Sequence, residues 1–155
     1  PIGAHLAMQS NLRPLAELGA RWALPFEIFP VLLMIIVMLW VAGFDIIYAC
    51  QDYVVDCADS RLHSIPKSLG IRRALIVSAV LHALALALLI LAGIYADFGA
   101  WYYSAVVVTG ALLFYEHWIV RPTELSRINT AFFTINGVIS FMLFAAVFIE
   151  RALCD

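Results

Sequence analysis

Gly43-Phe44-Asp45-Ile46-Ile47-Tyr48-Ala49-Cys50-Gln51-Asp52-Tyr53-Val54-Val55-Asp56 is the segment on which the architecture of this chain turns. It closes an uncharged apolar run, Ile28 to Phe44, so carboxylates arrive where a membrane helix should be leaving the bilayer. At about 100° per residue, Asp45, Ala49, Asp52 and Asp56 fall within about 60° of one another on a helix. The acidic stripe would then be roughly 16 Å long at about 1.5 Å per residue. Carboxylates stacked on one face repel unless a cation sits among them. A hard divalent ion is the natural neutraliser, since Mg2+ takes one or two carboxylates and keeps positions for phosphate oxygens. The plain alternative is a solvated acidic helix end. Asp45 weighs against it, because an acid inside a membrane segment is costly and usually functional.

The surrounding composition agrees. Of 155 residues, 65% are hydrophobic and 13% charged, with a mean hydropathy of +0.97, which excludes an ordinary soluble domain. A net charge of −2 without any basic block offers nothing suited to nucleic acid. Cys50, Cys57 and Cys154 lack metal-site spacing. Cys50 and Cys57 stand two helical turns apart, too far for a disulfide within one helix, so all three read as free thiols. Pro1-Ile2-Gly3-Ala4 opens on an apolar segment that is neither a signal peptide nor a transit peptide.

On either side of the acidic segment the chain divides by hydropathy. Residues 1–8 are too short to cross a bilayer and read as the exit of a truncated span. Asn11 to Arg21 is a polar loop or interfacial helix, with Trp22 and Phe26 as an aromatic belt at the next entry. Spans are expected at about 28–50, 74–95, 100–118 and 128–149. Pro30 falls in a first turn, where its missing N–H costs little. Pro66 interrupts the polar connector 57–73, and Trp101, Tyr102 and Tyr103 ring the start of the third span. The whole reads as an all-α polytopic membrane bundle in one domain, 1–155. Arg61, Lys67, Arg72 and Arg73 in the acidic connector, with Arg121 and Arg127 before the last span, place both connectors on the cytoplasmic side. Arg13 and Arg21 fall on the opposite side.

The motif Asp45-x-x-Tyr48-Ala49-x-Gln51-Asp52-x-x-x-Asp56, followed by Leu62-His63-Ser64-Ile65-Pro66 and Gly70, resembles the second aspartate-rich motif of the UbiA-type polyprenyltransferases. Within that family the chain is most similar to the 4-hydroxybenzoate polyprenyltransferases. Tyr115-Glu116-His117, Leu125-Ser126-Arg127-Ile128-Asn129, Ala131-Phe132-Phe133 and Asn136-Gly137 carry the same likeness. One departure is Ser60-Arg61, where the family often has a Gly before Leu-His-Ser. The resemblance implies the C-terminal half of a nine-helix fold, with a first aspartate-rich motif upstream and no activity in this half alone. It further implies Mg2+-dependent transfer of a polyprenyl chain from its diphosphate to 4-hydroxybenzoate, for ubiquinone or menaquinone synthesis, in a bacterial inner membrane.

That chemistry gives the residues roles. Splitting a prenyl diphosphate requires a metal to take the charge that develops on the leaving group. Asp52 and Asp56, at i and i+4, are the expected metal ligands; Asp45 lies deeper, where it ligates or orients Tyr48. Lys67, Arg72, Arg73 and His63 are placed to meet diphosphate oxygens, with Ser64 in the same loop. For Arg72 and Arg73, simple positive-inside anchoring explains the charge equally well. Tyr48 and Tyr53 are candidates to shield an allylic cation, though aromatics in membrane helices more often pack. Glu116 or His117 would be a base or a substrate contact, or merely polar caps at a helix end. Arg127, Asn129 and Asn136 on one stripe would hold an acceptor carboxylate; for Asn136-Gly137 close helix packing is an equal reading. His82 reads as a hydrogen-bonded core residue.

Other acceptors (dihydroxynaphthoate, chlorophyllide or haem) suit the same chemistry. A CDP-alcohol phosphotransferase would need an Asp-Gly-x-x-Ala-Arg run that is absent. A cation transporter would place acids near mid-membrane on several spans, whereas these cluster at one end.

Overall fold

A computed structural model describes residues 28–154. The truncated span at 1–8, the polar stretch with Arg13 and Arg21, the belt residues Trp22 and Phe26, and the side chain of Cys154 lie outside the described residues. The elements are α1 (Ile28–Ala49), a 3-10 turn (Cys50–Asp52), α2 (Tyr53–Ala58), α3 (Ile65–Leu69), α4 (Ile71–Tyr95), α5 (Ala100–Ile119), a π-helical turn (Thr130–Ile135) and α6 (Asn136–Cys154). Every regular element is a helix, and the described residues contain no strand beyond a single bridge between Arg121 and Glu124. The all-α membrane bundle is thus confirmed.

Large apolar side chains point outward along its length, among them Met38, Val107, Phe114 and Phe141. Facing lipid, such a surface is satisfied; the helices are then held together by close packing and polar contacts rather than by the hydrophobic effect. Three helical stretches are long and apolar enough to cross a membrane: Ile28–Ala58, Ile71–Tyr95 and Thr130–Ala152. Helix α5 falls short of that measure, although its 20 residues reach about 30 Å. Its polar C-terminal turn, with Glu116 and His117, and its tyrosine-rich start dilute the apolar character expected of a third span.

Those starting aromatics also divide. Trp101 is exposed, but Tyr102 is buried between helices rather than standing in an interfacial ring. Its ring packs where Gly93 leaves room for no side chain, and its hydroxyl donates to the Leu89 carbonyl at 2.7 Å. At the same end, the Glu150 carboxylate of α6 accepts from the backbone N–H groups of Gly99 (3.0 Å) and Tyr102 (3.1 Å). A negative charge from a neighbouring helix thereby caps the start of α5. Arg151 stacks over Phe98 at 4.6 Å, which ties α6 to the same α4–α5 turn.

Two segments depart from regular α-helix. The 3-10 turn interrupts the stripe expected to run unbroken from Asp45 to Asp56. A 3-10 turn advances about 120° per residue instead of about 100°, so three residues swing Asp52 roughly 60° relative to Asp45. Asp45 and Asp52 both stay exposed, and Asp56 is half-buried. The last span likewise opens on the π-helical turn, and Asn136 begins the α-helix proper. The Asn136 amide donates to the carbonyls of Ala131 (3.0 Å) and Phe132 (3.3 Å), acceptors on the turn whose regular ladder has been broken.

Candidate functional site

Ile46 and Ile47 of α1 and Cys50 of the 3-10 turn pack with Ala74 and Leu75 of α4, together with Val120, Ile128 and Ala131. Burying that face turns the opposite one out, so Asp45, Tyr48, Gln51 and Asp52 are exposed. Asp56, one turn beyond Asp52, is half-buried. The last span closes on this face. Gln51 donates to Asn129 Oδ1 at 3.2 Å, and the Tyr48 ring lies 4.5 Å from that of Phe132. Phe132 also meets Phe44 edge-on at 5.2 Å, and Phe44 meets Trp40 edge-on at 6.1 Å. An aromatic column thus descends from the acids into the bundle.

Asp45, Asp52 and Asp56 make no ion pair or hydrogen bond within the described residues. No three side chains of His, Cys, Asp or Glu gather among the described residues into a metal-holding group. The arrangement still suits a hard divalent ion bound through one or two carboxylates, with phosphate oxygens and water completing its sphere. Two uncompensated carboxylates a turn apart are such a pair.

The basic connector is more self-contained than its sequence suggests. Lys67 Nζ donates to the carbonyls of Asp59 and Leu62, both at 2.8 Å, stapling the loop that precedes it. His63 Nδ1 lies 3.0 Å from the Arg61 carbonyl. Ser64 caps α3 by accepting from the Lys67 N–H at 3.3 Å. The Arg61 guanidinium beside Asp59 holds that carboxyl below the usual carboxylate range, but the pair is exposed and adds little to stability. Gly70, at φ 79°, makes the left-handed joint between α3 and α4. Arg72 and Arg73, just beyond it, are exposed and have no partner among the described residues. They remain free to meet an anion.

Tyr115, Glu116 and His117 separate by environment. Tyr115 is exposed, His117 half-buried, and Glu116 fully buried with neither carboxylate oxygen hydrogen-bonded. The stripe expected for Arg127, Asn129 and Asn136 is not formed. Arg127 and Asn129 are exposed, whereas Asn136 is buried and accepts from Trp40 Nε1 at 2.8 Å. Nine residues at about 100° each already put Arg127 and Asn136 on opposite faces of a helix, and a π-helical turn lies between them.

His82 is the expected core histidine. Its Nε2 lies 3.2 Å from the Trp40 carbonyl, which can only accept, so Nε2 carries the proton. In the neutral ring Nδ1 then accepts from His117 Nε2–H at 3.1 Å. Trp40 therefore serves two residues, His82 through its carbonyl and Asn136 through its indole. Nothing in the composition singles it out; an indole N–H deep in an apolar run, needing a partner, is the available signal.

Close approach makes this network possible. A side-chain carbon at Gly43 would collide with the His82 imidazole, and Ser78 Oγ donates to the Gly43 carbonyl at 2.7 Å. Gly43→Ala must displace His82 from both partners, and we expect a loss of about 1–3 kcal/mol. A lowered thermal midpoint of the purified protein checks this; an unchanged midpoint would mean that α1 and α4 separate freely.

The model of the UbiA prenyltransferase family matches residues 1–146, which include all of these site residues. No curated protein and no solved structure matches the chain.

Proposed function

Because the chain belongs to the UbiA prenyltransferase family, we propose that it transfers a polyprenyl group from a polyprenyl diphosphate to 4-hydroxybenzoate, as part of quinone synthesis. Mg2+ would assist, held by Asp52 and Asp56. The observation that carries this reading is the set of uncompensated carboxylates on the aromatic face of a family member. The metal would supply charge stabilisation to the departing diphosphate.

The chain's own residues do the rest. Arg72 and Arg73 bind diphosphate oxygens electrostatically at the start of α4, on the side where Lys and Arg concentrate. Lys67 acts indirectly, by fixing the loop that leads to them. Tyr48 and Phe132 present ring faces and edges that exclude water and stabilise an allylic cation. Arg127 meets the acceptor carboxylate. The protein is integral to the membrane, and Lys and Arg distribution supports a cytoplasmic active face in a bacterial inner membrane.

A direct assay tests this. The complete protein in membranes should join a polyprenyl diphosphate to 4-hydroxybenzoate, a chelator should stop the transfer, and added Mg2+ should restore it. Transfer to dihydroxynaphthoate alone would change the acceptor but keep the chemistry. Transfer unaffected by the chelator would remove the metal.

A further inference from the structure

Helix α5 keeps one face for the bundle and turns the other out. Ala105, Thr109, Leu113 and Glu116 are buried on the first. Val107, Phe114 and Trp118 lie on the second, 72%, 71% and 59% exposed. Their sequence spacing puts those three within about 40° of one another on a helix. At 1.5 Å per residue the stripe from Val107 to Trp118 is roughly 16 Å long. That matches the hydrocarbon depth of one leaflet, half of a core ~30 Å thick. Trp118 stands at its polar end, where α5 stops at Ile119.

The residues beyond Trp118 are held in place. Val120 is buried, and Arg121 and Glu124 exchange backbone hydrogen bonds of 3.2 and 2.9 Å. The Arg121 side chain folds back from this pinned backbone. Its Nε donates to the Trp118 carbonyl at 3.1 Å, and the guanidinium carbon lies 4.7 Å from the centre of the Trp118 ring. Phe114 extends the stack, with 6.3 Å between its ring centre and that of Trp118. Neither Nη group of Arg121 nor the Trp118 indole N–H has a partner among the described residues. Glu124 does not neutralise Arg121: no ion pair joins them, and its carboxylate accepts from the Ser126 N–H at 3.1 Å.

A guanidinium stacked on an indole, its fork still unpaired, is shaped for a phosphate. A cation that merely snorkels keeps its rotamer freedom, whereas this one has given it up before any ligand arrives. The stripe below it is apolar, so the phosphate that fits belongs to a lipid. We propose that Arg121, Trp118 and Phe114 form a binding site for one anionic phospholipid. Its phosphate sits on Arg121, its glycerol esters accept from the Trp118 indole, and an acyl chain runs along Phe114 and Val107. A zwitterionic lipid is the poorer ligand, because its own ammonium competes for the phosphate charge. The site is independent of prenyl transfer. It rests on the orientation that the Lys and Arg distribution supports, which puts Arg121 on the cytoplasmic side, where anionic lipids act.

Lipids brominated on their acyl chains quench a nearby indole and so report contact with Trp118. The complete protein is placed in phosphatidylcholine vesicles containing a minor share of brominated phosphatidylglycerol or brominated phosphatidylcholine. The Trp118→Phe protein, measured alongside, isolates the Trp118 signal. Brominated phosphatidylglycerol should reach half-quenching at an about fivefold lower share than brominated phosphatidylcholine, the worth of one cation at an anionic surface. Arg121→Gln should abolish that preference. Arg121→Lys should remove most of it, since Lys keeps the charge but loses the planar fork and the stack. Full preference in Arg121→Lys overturns the site and leaves a plain surface anchor. Equal quenching by the two lipids in the wild-type protein also overturns it. So does a Trp118 signal quenched by neither, which would mean that another part of the complete protein covers the stripe. Excess inorganic phosphate should leave the quenching unchanged; displacement of the lipid would give the fork to a soluble anion and overturn the proposal. No turnover is measured, so failure here leaves the prenyl-transfer reading untouched.

Discussion

Asp52→Ala or Asp56→Ala should lower prenyl transfer by roughly 1,000-fold or more, because metal stabilisation of a developing charge contributes several kcal/mol. Asp→Asn at either position should behave the same way, since charge and not shape is required. Folding should survive. Neither carboxylate makes a hydrogen bond or ion pair within the described residues, so its removal leaves no buried partner stranded. Turnover and thermal midpoint measured on the same preparation separate the two effects. Asp45→Ala is a useful contrast, because Asp45 lies two helical turns before Asp52, deeper in the apolar span. A full rate in Asp56→Ala would exclude that residue from the site.

Arg127→Gln should raise the KM for 4-hydroxybenzoate about 10- to 100-fold, the worth of a charge-assisted hydrogen bond to a carboxylate. The KM for prenyl diphosphate should stay nearly constant. Arg127 is exposed, and its guanidinium, though near Glu124, makes no hydrogen bond among the described residues that a carboxylate would have to displace. Asn129 carries no charge to replace the guanidinium, and Asn136 is buried against Trp40. A topology anchor would behave differently: membrane yield would drop, and the protein that inserts would keep both constants. An equal change for both substrates would end the acceptor role.

Residue order is enough to make this chain an all-helical membrane bundle, to set roughly where its long helices run, and to mark the acidic segment as a candidate site. These properties are local. Apolar runs long enough to span a bilayer stand out without reference to any neighbour, and an acid at the end of one is conspicuous. Gly70 and Pro66 also punctuate the connector through their own backbone preferences.

Which faces turn inward is set by packing between helices. A helix such as α4, apolar all round, carries no amphipathic stripe to reveal its buried side. Glu116 and Tyr115 are adjacent in sequence, yet one is sealed in the bundle and the other exposed, because α4 and α6 cover one side of α5 and leave the other open. A regular helix would set Asn136 on the face of Asn129, about 180° from Arg127; Trp40, 96 residues away, supplies its partner. By sequence Lys67 is free for phosphate, but in the fold its loop carbonyls claim it. In each case the partner lies on another helix or on a locally irregular turn. Buried polar groups take whichever donor or acceptor packing brings within reach.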